Sequence, residues 1–274
     1  SVHGKGGARM DIGDRVALVT GSGRGIGRGI ATVLARNGAD VVVADINQSD
    51  AVEAAAEISG LGRRSLGLRV DVTSQESVDA MVGEAIAEFG RVDILVNNAG
   101  IVAAAGWEER DEFTWEDWDQ IYEVNVKGIV RVTNAVIVHM KERRYGKIVN
   151  MASVAGRGAT GTSAPYSVSK AGVIMLTQAQ ALEFAPFDIT VNSICPSLLW
   201  TPMWERISQR WTRDPKYAGL TPREIFDRVV QDRIPLGREQ TPEDIGNLAA
   251  FLSSDLAKNI TGQAINVSGG SHMN

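Results

Sequence analysis

Residues 15–27 read RVALVTGSGRGIG, and this stretch decides the fold. Its first six residues form a short apolar run with β-branched side chains, which is typical of a buried strand. A glycine cluster follows at once, and helical periodicity then runs over residues 26–37 and stops at Gly38. Glycines between a strand and a helix N-terminus allow backbone N–H groups and the helix dipole to hold a pyrophosphate. The stretch therefore predicts a dinucleotide-binding strand–turn–helix unit.

The glycines of this turn have the spacing G-x-x-x-G-x-G, with Gly21, Gly25 and Gly27 in the fixed places. The more common G-x-G-x-x-G spacing fails because its last place, counted from Gly21, falls on Ile26. Arg24 and Ile26 occupy the variable places, and we expect all five residues at the cofactor. A bare glycine cluster is often only a turn, so the flanking strand and helix carry this prediction.

Strand and helix patterns alternate through the rest of the chain. Apolar runs predict strands at residues 15–20, 40–45, 64–70, 92–96, 147–151, 189–194 and 264–267. Helical patterns occupy residues 26–37, 48–59, 74–89, 115–143 and 164–184. Such an alternation, with strands apolar on both faces, predicts an α/β fold in which helices cover both sides of a parallel sheet. Nothing divides residues 11–274, so we expect one domain, with residues 1–10 as an N-terminal extension.

The alternation stops over residues 201–238, after the sixth predicted strand. This insertion carries aromatic and proline residues: Trp204, Trp211, Pro215, Tyr217, Pro222 and Phe226. An insertion beyond the carboxyl end of a strand favours a small helical substrate lid. The alternative is a helical excursion that packs on the sheet or on a neighbouring subunit.

Composition narrows the classes of partner. The 274 residues carry a net charge of −5, with 44% hydrophobic and 22% charged residues, so neither nucleic acid nor an anionic membrane surface is an expected partner. No apolar run reaches the ~18 residues of a membrane span. A single cysteine, Cys195, excludes internal disulfides and favours a reducing, cytoplasmic location, and we expect it to be buried packing. His3, His139 and His272 have no ligand spacing, so we expect no metal.

Tyr166 and Lys170 lie four residues apart in a predicted helix, and therefore on one face of it. The pKa of a tyrosine is ordinarily about 10, and a neighbouring positive charge favours the phenolate. The pair therefore predicts an acid/base group whose pKa Lys170 lowers toward working pH.

Several motifs together identify a family. Taken in order, the following residues resemble the short-chain dehydrogenase/reductase family: Thr20 to Gly27, Asp71, Asn97 to Gly100, Asn125, Ser153, Tyr166 and Lys170. The resemblance extends over roughly residues 15–270. It implies a single Rossmann-type domain with a seven-stranded parallel sheet, assembled as a homotetramer.

The resemblance implies four catalytic residues. Tyr166 would be the general acid/base, and Lys170 would lower its pKa and hold the nicotinamide ribose. Ser153 would hydrogen-bond the substrate oxygen. Asn125 would kink its helix and hold a water in a proton relay with Lys170.

The resemblance also implies a set of cofactor-binding residues in the loops after the strands. They are Asp71 and Val72 at the adenine, Asn98, Ala99 and Gly100 beside the adenosine ribose, and Pro196 and Thr201 at the nicotinamide. Two positions depart from the family pattern. Ser197 replaces a usual glycine, which would be strained if that position needs a positive φ. Ser268 replaces a usual acidic residue, and the sequence alone gives this change no function.

The choice between NAD and NADP depends on two residues. Asp45 ends the second predicted strand, where a carboxylate accepts hydrogen bonds from both ribose hydroxyls and repels a 2′-phosphate. Arg24 instead occupies a place where NADP-using relatives often carry a basic residue. We expect NAD, because Asp45 would face the 2′ position directly.

The substrate is expected to be a small, neutral secondary alcohol or polyol. The loops after Gly100 and Ser153 are small and apolar, and no cation cluster is evident, although Arg157 could supply one charge. We expect Ser153 and Ala155 at the substrate, with three tryptophans as pocket walls: Trp107, Trp200 and Trp204. The run of residues 201–204 resembles bacterial polyol, sorbitol and acetoin/2,3-butanediol dehydrogenases. Two alternatives stay open: an NADPH-dependent 3-oxoacyl reductase, and a regulatory dinucleotide-binding protein with vestigial catalysis.

Overall fold

The computed structural model describes residue 10, residues 12–158 and residues 163–273. The expected extension over residues 1–10 therefore lies outside the described residues, apart from Met10. Part of the loop after Ser153 lies outside them as well. Within the described ranges, no helix is both long and apolar enough to cross a bilayer.

A single parallel sheet forms the centre of the described structure. Its strands are β1 Val16–Thr20, β2 Asp40–Asp45, β3 Ser65–Arg69, β4 Ile94–Asn97, β5 Gly146–Met151, β6 Ile189–Pro196 and β7 Ala264–Val267. They lie in the order β3-β2-β1-β4-β5-β6-β7. The seven-stranded parallel sheet expected from the sequence is thereby confirmed. The strand order reverses between β1 and β4, so a crevice opens at the carboxyl ends of these two strands.

Helices cover both faces of the sheet. They are α1 Gly25–Arg36, α2 Gln48–Gly60, α3 Gln75–Phe89, α4 Trp115–Tyr122, α5 Gly128–Arg143, α6 Ala164–Phe184, α7 Pro202–Trp211, α8 Pro222–Arg233 and α9 Pro242–Ser253. One apolar cluster packs α1, α2 and α9 on the sheet, and a second packs α3, α5 and α6 on it. The expected two-sided covering of the sheet is therefore confirmed.

The helix expected over residues 115–143 is interrupted. A π-helical turn, Glu123–Lys127, separates α4 from α5. Asn125 lies in this turn and is fully buried, and its side-chain amide bonds neighbours outside the helix. A π turn inside a helix often marks a functional position, and here it brings a polar side chain to the crevice end of the sheet.

The insertion after β6 is helical. It contains α7, a 3₁₀ turn at Pro215–Tyr217, and α8. The following helix, α9, was absent from the sequence prediction although it carries a clear start signal. Thr241 and Asp244 form a capping box around Pro242 at the start of this helix.

Candidate active site

One cavity of about 750 Å³ lies at the carboxyl ends of the sheet strands. Most of the residues expected at the site line it: Gly21, Arg24, Gly25, Ile26, Asp45, Asp71, Val72, Asn98, Ala99, Gly100, Ser153, Ala155, Tyr166, Lys170, Pro196, Thr201 and Trp204. Four others do not line it: Gly27, Asn125, Trp107 and Trp200. The cavity therefore brings the glycine turn, the Tyr/Lys pair and the start of the insertion together.

The glycine turn is fixed by close backbone contacts. Gly21 and Gly25 have φ values of 62° and 58°, a region that disfavours side chains. A Cβ at Gly27 would lie 2.2 Å from the Gly21 carbonyl oxygen, so only glycine fits there. The Asn98 amide donates to the carbonyls of Thr20 and Gly21 at 3.0 and 2.8 Å. Gly27 and Asn98 thus hold the shape of the turn, while Gly21 and Gly25 face the cavity.

Asp45 ends β2 at the edge of the cavity and is only 6% exposed. Its two carboxylate oxygens accept the backbone N–H groups of Gly23 at 2.9 Å and Asn47 at 3.1 Å. These bonds fix the carboxylate beside the glycine turn, where each oxygen keeps a free lone pair for a further donor. Arg24 is exposed, and no ion pair joins it to Asp45 in the described structure.

Asp71 and Val72 line the cavity after β3. The Asp71 carboxylate accepts the side-chain hydroxyl and the backbone N–H of Thr73, at 2.7 and 2.9 Å. These bonds lower the pKa of Asp71, the hydroxyl contributing most. Val72 packs against the start of α5, where a Cβ on Gly128 would lie 2.9 Å from it. The two residues form a fixed polar and apolar wall.

Tyr166, Ser153 and Lys170 lie together in the wall of the cavity. The Tyr166 phenol hydrogen-bonds Ser153, whose Oγ also accepts the N–H of Ala155 at 3.1 Å. Lys170 is 4% exposed, and its Nζ donates to the Met151 carbonyl at 2.7 Å. It lies 5.6 Å from the centroid of the Tyr166 ring. A phenol, a hydroxyl and an ammonium group therefore converge beside the end of β5.

The expected lowering of the Tyr166 pKa is wrong for this structure. Burial raises the pKa of Tyr166 to about 12, and the hydrogen bond from Ser153 opposes that rise only in part. Burial also lowers the pKa of Lys170, to about 8. Desolvation disfavours the charged form of each group and is the largest cause of both shifts. The phenol is therefore protonated at neutral pH.

Asn125 supports the cavity from behind rather than lining it. Its Nδ2 donates to the Ile101 carbonyl at 2.9 Å and to Ser169 Oγ at 3.0 Å. Its Oδ1 accepts the Ile101 N–H at 2.8 Å. A Cβ on Gly100 would lie 3.2 Å from this oxygen and 3.5 Å from Lys170 Nζ. Asn125 therefore ties the π turn to the loop after β4 and to α6, next to Lys170.

Two of the three tryptophans expected as pocket walls lie elsewhere. Trp107 is 2% exposed and stacks on Phe113 behind the cavity wall. Trp200 packs its ring against Phe226 at 5.2 Å. Trp107 and Trp200 each pack inside an apolar cluster. Of the three tryptophans expected as pocket walls, only Trp204 faces the cavity.

The wall contributed by α7 was missed in the sequence. Met203, Ile207 and Trp211 line the cavity, and their spacing of four residues puts them on one face of the helix. That periodicity was readable in advance. Arg206 also lines the cavity and forms an ion pair with Glu108, which offsets its charge.

A further cation lies beside α7. Arg233 lines the cavity and lies 5.9 Å from the centroid of the Trp211 ring. Arg157, which the sequence leaves open as a source of charge, does not line the cavity, and its guanidinium donates to the Ala264 carbonyl. Cys195 is fully buried, as expected.

Ser197 adopts an unstrained backbone. Positive φ values among the described non-glycine residues occur only at Asp14, Arg144 and Asp188. The Ser197 N–H donates to the Val267 carbonyl at 3.2 Å, which continues the pairing of β6 with β7. The conditional expectation of strain at this position therefore does not apply.

Known proteins resemble this chain along nearly its whole length. The model of a family described as enoyl-(acyl carrier protein) reductase matches residues 21–272. Subunit BbsD of (2S)-[(R)-hydroxy(phenyl)methyl]succinyl-CoA dehydrogenase from Thauera aromatica is 40% identical over 261 residues, covering 95% of this chain and 98% of that protein. Galactitol 2-dehydrogenase from Agrobacterium fabrum is 38% identical, covering 96% of this chain and all of that protein.

A solved structure shares the fold closely. A variant of actinorhodin polyketide ketoreductase, crystallised with NADPH, superposes with a TM-score of 0.85 at 36% identity. The superposition covers 94% of this chain and 97% of that chain. These similar proteins include both dehydrogenases and ketoreductases, so they support oxidoreductase chemistry without selecting one substrate or one nicotinamide cofactor.

Proposed function

The chain belongs to the short-chain dehydrogenase/reductase family, and from that premise we propose that it interconverts a secondary alcohol or polyol and its ketone with NAD. The observation that carries this proposal is the Tyr166–Ser153–Lys170 group, which shares one cavity with the glycine turn. The Gly21 and Gly25 conformations and the Asp45 carboxylate fit a dinucleotide, because together they offer backbone donors and ribose acceptors.

Each polar side chain has a chemical role in this proposal. A bound nicotinamide supplies the hydride acceptor for oxidation and the hydride donor for reduction. Tyr166 takes the hydroxyl proton in oxidation and returns it in reduction. Ser153 donates a hydrogen bond to the substrate oxygen, which stabilises developing alkoxide charge. Lys170, held by the Met151 carbonyl beside the Tyr166 ring, would hold the ribose hydroxyls of the bound cofactor.

The raised pKa of Tyr166 has a consequence for direction. A phenol that stays protonated at neutral pH is ready to act as the acid for ketone reduction. Alcohol oxidation needs the phenolate, so we expect its rate to rise with pH above neutrality. The ratio of the initial rate of oxidation to that of reduction, measured from pH 6 to pH 10, should rise with pH. A ratio independent of pH would contradict this expectation.

NAD is favoured by the position of Asp45. Its carboxylate is buried and fixed by two backbone N–H groups, so it cannot swing away from a 2′-phosphate. Burial of a phosphate against a fixed carboxylate is unfavourable. The exposed Arg24 supports the second candidate, an NADPH-dependent 3-oxoacyl reductase, since this side chain is free to approach a 2′-phosphate.

We assign the glycine turn, Asp45 and Asp71 to the cofactor end of the cavity, and the wall formed by α7 to its substrate end. A neutral alcohol is supported by the side chains of this substrate end. Met203, Trp204 and Ile207 are apolar, and the Arg206 charge is offset by Glu108. The likeness to galactitol 2-dehydrogenase supports a polyol. A regulatory role with vestigial catalysis is less supported, because Ser153, Tyr166 and Lys170 line one cavity and Asn125 packs directly behind it.

Assembly and location complete the proposal. We infer a cytoplasmic homotetramer. Its support is an exposed apolar stripe on α6, formed by Val168, Met175 and Leu182 at a spacing of seven residues. Light scattering after size exclusion tests the assembly, and a monomer at micromolar concentration would contradict it.

The direct test is formation of reduced cofactor at 340 nm over a panel of secondary alcohols and sugar alcohols, with NAD and NADP in parallel. We expect turnover with NAD on polyols or vicinal diols. Turnover only with NADPH and a 3-oxoacyl thioester, in the reductive direction, would contradict the proposal and favour the second candidate.

A further inference from the structure

The segment after β7, residues 268–272, folds back onto the cavity. Gly269 and Gly270 have φ values of 59° and 93°. A Cβ on Gly269 would lie 2.6 Å from Ile234, and one on Gly270 would lie 3.2 Å from Pro235. Both glycines are therefore needed to seat the segment against the end of the insertion that follows β6.

The two serines that depart from the family pattern both hold this segment. Ser197 Oγ lies 3.0 Å from Ser271 Oγ. Ser268 Oγ donates to the His272 carbonyl at 3.2 Å, and so does the Asn266 amide at 3.2 Å. A glycine at 197 would remove the first contact, and an acidic residue at 268 would carry no hydroxyl donor for the second. Ser197 and Ser268 thus both fix the position of residues 271 and 272.

The feature that they position is the His272 side chain. Ser271 and His272 line the cavity. The His272 Nδ1 lies 3.4 Å from Ser271 Oγ, and its Nε2 lies 3.3 Å from the place of a Cβ on Gly158. The ring therefore lies between residues 268–272 and Gly158, in the wall of the cavity that Tyr166 also lines.

Besides His272 and Tyr166, six charged or chargeable side chains occur among the described residues that line the cavity: Arg24, Asp45, Asp71, Lys170, Arg206 and Arg233. Among described lining residues, the acidic side chains Asp45 and Asp71 belong to the cofactor end. The charged side chains of the substrate end are Arg206, which is paired with Glu108, and Arg233 beside Trp211. The remaining wall from α7 is apolar, so His272 is placed to give a neutral substrate a hydrogen bond there.

We propose that His272 is a specificity-determining residue, which hydrogen-bonds a hydroxyl of the polyol remote from the carbon that is oxidised. Ser197 acts as a positioning residue through Ser271. The inference rests on the proposed function and narrows its substrate to an alcohol that carries a second hydroxyl group. A site built to bond a hydroxyl discriminates strongly against analogues that lack it, because its own polar group is then left unpaired.

The test compares galactitol with 2-hexanol, which has six carbons and a single hydroxyl group, as substrates for the full-length protein with NAD. For His272→Ala, we expect KM for galactitol to rise about tenfold, because the substrate loses one hydrogen bond. The same variant should leave KM for 2-hexanol, KM for NAD and kcat within about twofold. His272→Gln should recover part of the galactitol KM, because its amide can still donate.

Ser197→Gly checks the positioning role and avoids any change to the ring itself. We expect KM for galactitol to rise by less than in His272→Ala, again without an effect on 2-hexanol. Met273→Ala is the matched control, because Met273 is adjacent and 85% exposed, and it should change nothing.

The outcomes separate the inference from the proposed function. Equal effects of His272→Ala on both alcohols, or no effect on either, would overturn the inference while the proposed function stands. If the unmodified protein oxidises neither alcohol with NAD but reduces a 3-oxoacyl thioester, the proposed function fails and the inference fails with it. Should His272→Ala not fold, an unchanged galactitol KM in both Ser197→Gly and His272→Gln would overturn the inference.

Discussion

The two ends of the cavity are built in different ways. At the cofactor end, backbone groups and short turns form the wall, and a Cβ at Gly27 would lie 2.2 Å from a carbonyl oxygen. At the substrate end, long side chains of α7 form the wall, and Trp204 and Trp211 contact each other at 5.8 Å. A wall made of backbone tolerates almost no substitution, whereas a wall of side chains can change with the substrate. The same fold can therefore keep one cofactor site and vary its chemistry.

The largest effect is expected where the two ends meet. Tyr166→Phe removes the acid/base hydroxyl and keeps the ring, so kcat should fall by about 10²–10⁴-fold. Dissociation constants for NADH should stay within about twofold, because the ring still fills its place. Steady-state kinetics and fluorescence titration check the two halves of this prediction. Unchanged turnover would contradict the role assigned to Tyr166, and lost cofactor binding would show that the two ends are not separable.

The next largest effect is expected at the cofactor end alone. Asp45→Asn removes the charge and keeps the shape, so the ratio of kcat/KM for NAD to that for NADP should fall by roughly ten- to a hundredfold. Asp50→Asn is a matched control, because Asp50 lies in the adjacent helix and is absent from the cavity wall. A ratio that Asp45→Asn leaves unchanged would contradict the assignment of Asp45 to the ribose.

A smaller effect is expected at the substrate end alone. Trp204→Ala removes an apolar wall that also packs on Trp211 and Phe226, so substrate KM should rise by roughly tenfold and Tm should fall. KM for NAD should remain within about twofold. Trp115→Ala is the control, because Trp115 is 84% exposed and remote from the cavity wall. An equal rise in KM for NAD and for substrate would show that the insertion after β6 serves both ends.

The smallest effect concerns stability rather than turnover. The pKa of Lys170 is lowered from 10.5 to about 8 in the folded protein, so the unfolded chain binds more protons between these values. The free energy of unfolding should therefore rise with pH across that window, with a slope from this group of at most about 1.4 kcal/mol per pH unit. Lys170→Met should lose this contribution, whereas Lys258→Met, at an exposed position, should keep it.

Chemical denaturation at pH 8 and pH 10 measures both slopes. Other groups that titrate in this range are present in all three proteins, so their contributions cancel in the comparison. The same change in the free energy of unfolding between pH 8 and pH 10 in Lys170→Met and in the unmodified protein would mean that Lys170 is not held in a desolvated position.

The contrast between the two ends also explains what the sequence could reveal. Gly21, Gly25 and Asp45 were predicted individually, because a close backbone approach and a ribose carboxylate demand particular residue types at fixed spacing. Helix α6 was predicted with the bounds Ala164–Phe184 that the structure shows. At these places local chemistry alone determines the residue.

Other features depend on contacts that no local pattern shows. Trp107 and Trp204 are the same residue type near the carboxyl ends of strands, yet of these two only Trp204 faces the cavity. The raised pKa of Tyr166 follows from burial by distant segments, and sequence spacing showed only the nearby lysine. Ser197 and Ser268 were visible as departures, but their shared contact with residues 271 and 272 exists only in three dimensions.

The central claim, that the Asp45 end of this cavity binds NAD, is tested most directly by titrating the unmodified protein with NADH and with NADPH and following cofactor fluorescence. The measurement needs no knowledge of the substrate. We predict that NADH binds at least about tenfold more tightly, a difference of about 1.4 kcal/mol. Equal or tighter binding of NADPH would contradict the claim and would mean that Arg24, rather than Asp45, determines the cofactor.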